Sequence, residues 1–249
     1  MPGGRYSRRC CASPPCSGKP EASQWLPPEP SVQGNGAVRH RRRAPPFLVN
    51  VNAASSRTEQ RQRLRMKRRA LSAAQQARSA TLLANRVSAS PMFRCARRIA
   101  CYLPNDGEID PRPLMQRIWR MRKFCFLPVL SRLFHDRLWF APATSRSIFW
   151  PNRFGIPEPV TDPHQWLRAQ ELDLILVPLV GFDPQGNRLG MGGGFYDRSL
   201  EFLQGRSRWL HPRLLGLAHD FQRLEAVTPS PWDVPLQGIA TERALYLAP

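Results

Sequence analysis

The chain has 249 residues, of which 42% are hydrophobic, enough to bury a core in one large domain or two small ones. It holds no run of about 18 apolar residues, so no membrane-spanning helix is expected. Its six cysteines form no CxxC pair and follow no secretory leader, so a reduced, cytoplasmic setting is expected. The net charge of +19 is uneven: residues 1–70 carry 15 Lys/Arg against 3 Asp/Glu, and the remainder 22 against 15. Without zinc-finger spacing or an RNP-like aromatic motif, that asymmetry points to no specific nucleic-acid partner.

Residues 1–54 are rich in Pro, Gly, Ser and Arg, as in "SPPCSGKPEASQWLPPEPS" and "RHRRRAPP". Such a segment cannot bury enough apolar surface to offset ordering entropy, so a disordered extension is predicted. An untranslated upstream stretch and a targeting peptide are the other readings; the prolines and the lack of an amphipathic period disfavour the second. Helix formers free of Gly and Pro begin at Arg57, with Ser72 placed to cap a second helix. Arginines 57, 61, 65, 68 and 69 recur at three- and four-residue steps and make a basic stripe. The stripe is either a solvated face or a phosphate-binding one, since guanidinium matches phosphate with forked donors.

Beyond it, short apolar runs alternate with helical stretches. Strands are expected over 98–104, 123–130, 136–142, 172–183 and 213–220, and helices over 113–121 and 195–203. Such alternation predicts an α/β fold, a mostly parallel Rossmann-like sheet with helices on both faces. Ligands then sit beyond the carboxyl ends of the strands, where "NDGEID", "GFDPQGNRLGMGGG" and "AHD" fall.

Five glycines lie between Gly186 and Gly194, after a buried strand and before a helix. Glycine inside regular structure costs about 0.5–1 kcal/mol relative to alanine, so the run needs a reason. Its placement suits a phosphate cradle, with converging backbone N–H groups at a helix N-terminus; a tight structural turn is the alternative. The Walker pattern is absent, and GxGxxG begins at Gly190 and Gly192 but meets Phe195 where its third glycine belongs. Arg188 could meet phosphate and Tyr196 could pack on a flat ring. Asp197 either complements the helix dipole or ligates Mg²⁺ beside a triphosphate.

The stretch "PLVGFDPQGNRLGMGGGFYDR" resembles the nucleotide loop of the 5-formyltetrahydrofolate cyclo-ligase family. Over residues 57–245 the likeness extends through "RRALS", "YLPNDGEIDPRPL", "FLPVL", "GIPEP", "LGLAHD" and "WDVPL". It implies a domain over 55–249 that is a monomer and closes the ring of 5-formyltetrahydrofolate with ATP as co-substrate and Mg²⁺ as cofactor. In that chemistry the formyl oxygen attacks the γ-phosphate, the folate N10 attacks the activated carbon, and phosphate leaves. No covalent nucleophile is required, only alignment and charge neutralisation. By the resemblance, ATP meets Arg57, Arg61 and the loop Arg188, Leu189, Gly190, Met191, Gly192, Gly193, Gly194, Phe195 and Tyr196, with Arg188 and Tyr196 acting in catalysis. Folate meets Leu103, Glu108, Phe154, Pro157 and the backbone from Met191 to Phe195, and Mg²⁺ falls to Asp197 and Asp233. His219 in "AHD" is read as structural. Two rival readings are a phosphate-ligand enzyme of the sugar-phosphate isomerase type and a basic RNA-binding protein.

Overall fold

The structure, a computed structural model, describes residues 56–130, 137–204 and 211–248. The extension expected over 1–54 lies outside them, as does the first residue of the strand expected over 136–142.

Ser56 and Ser72 each close a capping box, with Glu59 and Gln75, and start α1 (Arg57–Arg69) and α2 (Ala73–Ala89). Ser90 caps the short α3 (Pro91–Cys95). Then follow β1 (Arg98–Ala100), α4 (Arg112–Arg120), β2 (Phe124–Leu130) and β3 (Leu138–Pro142). A hairpin of β4 (Phe149–Pro151) and β5 (Pro157–Pro159) leads to β6 (Leu174–Pro178) and to a small hairpin of β7 (Gly181–Phe182) and β8 (Arg188–Leu189). The rest is α5 (Phe195–Leu200), β9 (Arg213–Leu217), β10 (Gly238–Ala240) and β11 (Leu245–Leu247).

The main sheet runs β11-β10-β9-β6-β1-β2-β3. Its five inner strands are parallel and both edge strands antiparallel. Residues of β6 alternate between two cores. Leu174 and Leu176 pack with Leu83, Leu114 and Ile118 of α2 and α4, while Ile175 and Val177 pack with Phe182, Leu200 and Val234. Both faces are therefore covered, which is why this strand reads as a continuous apolar run. From β1 the chain moves to β2 on one side, and it later enters β6 on the other. The gap between β1 and β6 is thus the topological switch point, where such sheets bind ligands. The segment after β1 carries Cys101–Glu108 and the segment after β6 carries Leu179–Gly194, so both candidate loops leave strands that border this gap.

The structure differs from the sequence reading where the chain turns. β1 ends at Ala100, and the chain turns further on at Asp106 and Gly107, with φ 51° and 74°. The apolar run over 172–183 is two strands, broken at Leu179 and Val180, whose carbonyls accept from the Gln222 side-chain amide at 3.0 and 2.7 Å. The helix over 195–203 is α5 followed by a 3₁₀ turn, and β9 stops at Leu217, before "AHD". Cys101, just past the end of β1, and Cys125 of β2 are buried neighbours, and Cys95 is exposed. Six further elements, α3, β4, β5, β8, β10 and β11, are too short for a period to reveal them.

Candidate active site

The basic stripe of α1 is its inward face. Arg57, Arg61, Leu64 and Arg68 fall on one side at helical spacing, Leu64 and Arg68 are buried, and Leu64 packs against Gly181 of β7. Arg57 donates to Ser230 Oγ and, at 3.3 Å, to Asp233 Oδ2. One turn on, Arg61 Nε donates to the Gly190 carbonyl at 2.8 Å. Further along, Arg65 and Arg68 donate to Asp106 Oδ2 at 2.6 and 2.8 Å, and Arg69 donates to its other oxygen. Arg68 also reaches the Leu179 carbonyl at 3.2 Å and the Met191 sulfur at 3.9 Å. Arg57, Arg61 and Arg68 thus face the protein, while Arg65 and Arg69 keep a solvent-exposed side. The stripe holds the glycine loop, the "WDVPL" turn and the "NDGE" turn together.

Of the five glycines, Gly186, Gly192 and Gly194 have left-handed φ, 86°, 103° and 67°, and Gly194 starts α5. Gly190 has neither constraint: a Cβ built there meets nothing within 4 Å. A side chain at that position would project into open space. Arg198 Nη2 donates to the Gly193 carbonyl at 2.8 Å and stacks over the Phe195 ring at 5.3 Å, fixing the loop's exit.

Arg188 is buried, 5% exposed, and its two terminal nitrogens donate to Asp197 and to the Val234 carbonyl. The sequence reading had this guanidinium meeting phosphate; in the structure it ties Asp197 to the segment that carries Asp233. Burial lowers its pKa, and both Asp197 and Asp233 lie close enough to pull it back up. Asp233 also receives the Ser230 amide at 2.8 Å. Among the described residues no three His, Cys, Asp or Glu gather as an all-protein metal cage. Asp197 and Asp233 instead suit Mg²⁺, which takes one or two carboxylates and completes its shell with phosphate and water.

Glu108 lies in the turn after β1, its Oε2 accepting from the Asn105 amide at 3.1 Å. Burial pushes its carboxyl up to about 7, against the Asn105 amide and Arg68, with Asp106 adding to the rise. Burial also raises the Tyr196 phenol, helped by nearby Glu108 and Cys101 and opposed by Arg188, so Tyr196 is a neutral hydroxyl. Tyr196 therefore lies within electrostatic range of both Glu108 and Arg188. His219 is 1% exposed, stacked on Phe221 at 5.4 Å, and held down to about 4 by burial and by Arg68, with the Gly107 carbonyl opposing. The imidazole is thus neutral, with its buried Nε2 lacking a hydrogen-bond partner among the described residues.

Leu103 is partly buried against the helix-side core. Phe154, at the tip of the β4–β5 hairpin, meets Phe195 edge-on at 6.0 Å. Pro157 is paired with Pro151 on the far strand of that hairpin, so of these two residues it is Phe154 that the structure brings to the loop. A cavity of about 310 Å³ lies elsewhere, lined by Arg137, Trp139, Arg168 and Ser199 among others, and it includes no residue of the glycine loop.

Sequence reasoning missed four supports. Arg68 and Asp106 were seen only as members of a stripe and a turn. Gln222 shapes the start of the loop segment. Asp183, 1% exposed, accepts from the Gln185, Asn187 and Val227 amides at 3.0, 3.0 and 2.9 Å and fixes the β7–β8 turn. The Asp-Pro-x-Gly pattern at 183–186 is a turn signal that could have singled out Asp183.

A doubly wound sheet whose switch point is bordered by a glycine loop held under an arginine-lined helix is the architecture of an α/β enzyme. The chain matches the 5-formyltetrahydrofolate cyclo-ligase family over residues 53–242 and belongs to it. Among relatives, the Escherichia coli K12 5-formyltetrahydrofolate cyclo-ligase is 38% identical over 185 residues, 74% of this chain and 98% of that one. The Haemophilus influenzae cyclo-ligase is 43% identical over 143 residues, 57% of this chain and 74% of that one. The solved 5,10-methenyltetrahydrofolate synthetase of Aquifex aeolicus superposes with a TM-score of 0.66 at 28% identity, covering 77% of this chain and 92% of that one. The protein is accordingly a ligase of folate one-carbon metabolism, from a family that uses ATP.

Proposed function

We propose that the crevice between β1 and β6 binds ATP and 5-formyltetrahydrofolate side by side and closes the folate ring there. The observation that carries this reading is the junction at Gly190, where Arg61 holds the carbonyl at 2.8 Å and a Cβ would meet nothing within 4 Å, with Asp233 acting on both Arg61 and Arg188 and Asp197 bonded to Arg188. Loop amides from Gly190 to Phe195 and the guanidiniums of Arg57 and Arg61 hold the triphosphate, the loop backbone facing the formyl end of the folate. Arg188 acts through Asp197, aiming its carboxylate. Tyr196 donates from its neutral hydroxyl toward the reacting oxygens. Glu108 accepts hydrogen bonds from the amino and ring N–H groups of the pterin, while Leu103 and Phe154 wall its apolar faces; Pro157 shapes the hairpin behind Phe154. Asp197 and Asp233 hold Mg²⁺. That ion, when bound, neutralises phosphate charge as the formyl oxygen attacks.

Residues 55–249 form the catalytic unit in this reading, working in the cytoplasm as a monomer, with 1–54 outside it. The family match beginning at residue 53 supports that boundary, and no helix among the described residues is long and apolar enough to cross a membrane.

The test is metal dependence. Asp233→Asn is expected to raise the Mg²⁺ concentration for half-maximal turnover at least about tenfold, the loss of one charged ligand interaction of roughly 1.5–3 kcal/mol. ATP-dependent turnover whose Mg²⁺ requirement is unchanged in both Asp233→Asn and Asp197→Asn would remove the metal assignment.

A further inference from the structure

Asp106 belongs to neither of the candidate ligand sets, yet it is the point where three arginines of α1 converge. Arg65 and Arg68 bond one carboxylate oxygen at 2.6 and 2.8 Å, and Arg69 takes the other. Of the three, only Arg68 is fully buried. The arms of Arg65 and Arg69 are 36% and 59% exposed, where an ion pair contributes little. A carboxylate serving three guanidiniums is more than a surface pair needs, and its backbone is special too. Asp106 and Gly107 are consecutive left-handed residues, at φ 51° and 74°. A Cβ on Gly107 would meet the Arg68 backbone at 2.9 Å, so the turn is pressed directly onto α1. From α2, Gln76 donates to the Gly107 carbonyl at 3.1 Å and clamps the same turn from a second side. Glu108 is the next residue. Its position is thus set by the helix whose other end holds Gly190 and Asp233.

We infer that Asp106 is a positioning residue: through the Arg65, Arg68 and Arg69 clamp it sets the Glu108 carboxylate in register with the phosphate loop, so that α1 ties folate recognition to ATP binding. This rests on Glu108 being the folate-facing acid. The groups that act on Glu108 are Arg68 from α1, Tyr196 from α5, and Tyr102, the Asn105 amide and Asp106 from its own segment. Among the described residues, Asp106 is the one acidic neighbour acting on it. Removing that charge while Arg68 stays makes Glu108 easier to ionise.

The decisive variant is Asp106→Asn, because Asn tolerates left-handed φ and keeps the turn while losing the charge. Steady-state kinetics on the full chain should show the KM for 5-formyltetrahydrofolate rising about tenfold, the worth of a charge-assisted hydrogen bond, with the KM for ATP within about twofold of wild type. The limb of kcat/KM near pH 7 should move to lower pH, and Asp106→Glu should restore part of both. If Asp106→Asn does not fold, Arg69→Ala, at an exposed arm, is expected to raise the folate KM by a smaller factor with ATP unaffected. An unchanged folate KM and pH limb, or equal rises in both KM values, overturns the inference while leaving cyclo-ligase activity in place. Wild-type chain that turns over no 5-formyltetrahydrofolate overturns the folate reading, and this inference with it.

Discussion

Arg68→Met is expected to destabilise the folded chain by about 3 kcal/mol, near the lower end for breaking a buried ion pair from one side. Arg68 is fully buried, bonded to Asp106 and to the Leu179 carbonyl, and it touches Met191. Methionine fills much of the volume but leaves the Asp106 carboxylate to its two exposed arms. The loss stays near the lower limit because Leu179 keeps its bond from Gln222 and Asp106 keeps Arg65 and Arg69. The pH dependence supplies a second sign. Burial pushes the Asp106 carboxyl up, but the three guanidiniums outweigh it and bring it from 3.8 down to about 2. A depressed acid contributes stability that is present above its unfolded value and lost as pH falls from about 3.8 toward 2. Urea unfolding at neutral pH and at pH 3 measures both effects. A loss under 1 kcal/mol at neutral pH, equal to that of Arg69→Ala, contradicts the weight given to the buried arm.

Glu108→Gln is expected to have opposite effects on stability and on activity. The Glu108 carboxyl is raised from 4.5 to about 7, so the unfolded chain ionises first as pH rises. Stability is then lost between about pH 4.5 and 7 and stays lower above that window. Glutamine removes the buried charge. The variant should match wild type near pH 4 and exceed it at pH 8 by on the order of 1–2 kcal/mol. Its kcat/KM for 5-formyltetrahydrofolate should nevertheless fall by roughly 10²–10³, the loss of about two hydrogen bonds to a charged acceptor. Stability held down at a functional position is the usual sign of a site kept for binding rather than folding. Thermal unfolding across pH, set beside kinetics, checks the pair. A variant less stable at pH 8 with near-normal kcat/KM would mean that Glu108 is an ordinary turn acid.

The parts of this fold that were legible in the sequence are those in which one signal repeats over many residues. Both capped N-terminal helices and β6 fall where period and composition put them, and the glycine run stands between strand and helix as its placement required. The stripe on α1 was visible, but its direction was not. Arginine on one helical face reads equally as solvated or buried, and only the tertiary fold, by bringing Asp106, Gly190 and Asp233 beneath it, decides. Arg188 shows the converse. Its neighbourhood in the loop suggested a phosphate contact, whereas in the fold its guanidinium is bonded to Asp197, nine residues on, and to the Val234 carbonyl, which the local sequence does not announce. Asp106 was illegible because a turn acid in "NDGE" is the commonest use of such a residue, and nothing nearby announces three arginines some 40 positions earlier.

The most direct measurement is product formation by the full chain mixed with 5-formyltetrahydrofolate, ATP and Mg²⁺, following the near-ultraviolet band of the methenyl product. The reaction should require ATP, release one ADP per ring closed, and proceed at a similar rate in a chain reduced to residues 55–249. Folded protein that binds ATP yet yields no methenyl product would contradict the account at its centre, leaving a phosphate loop without the folate chemistry assigned to it.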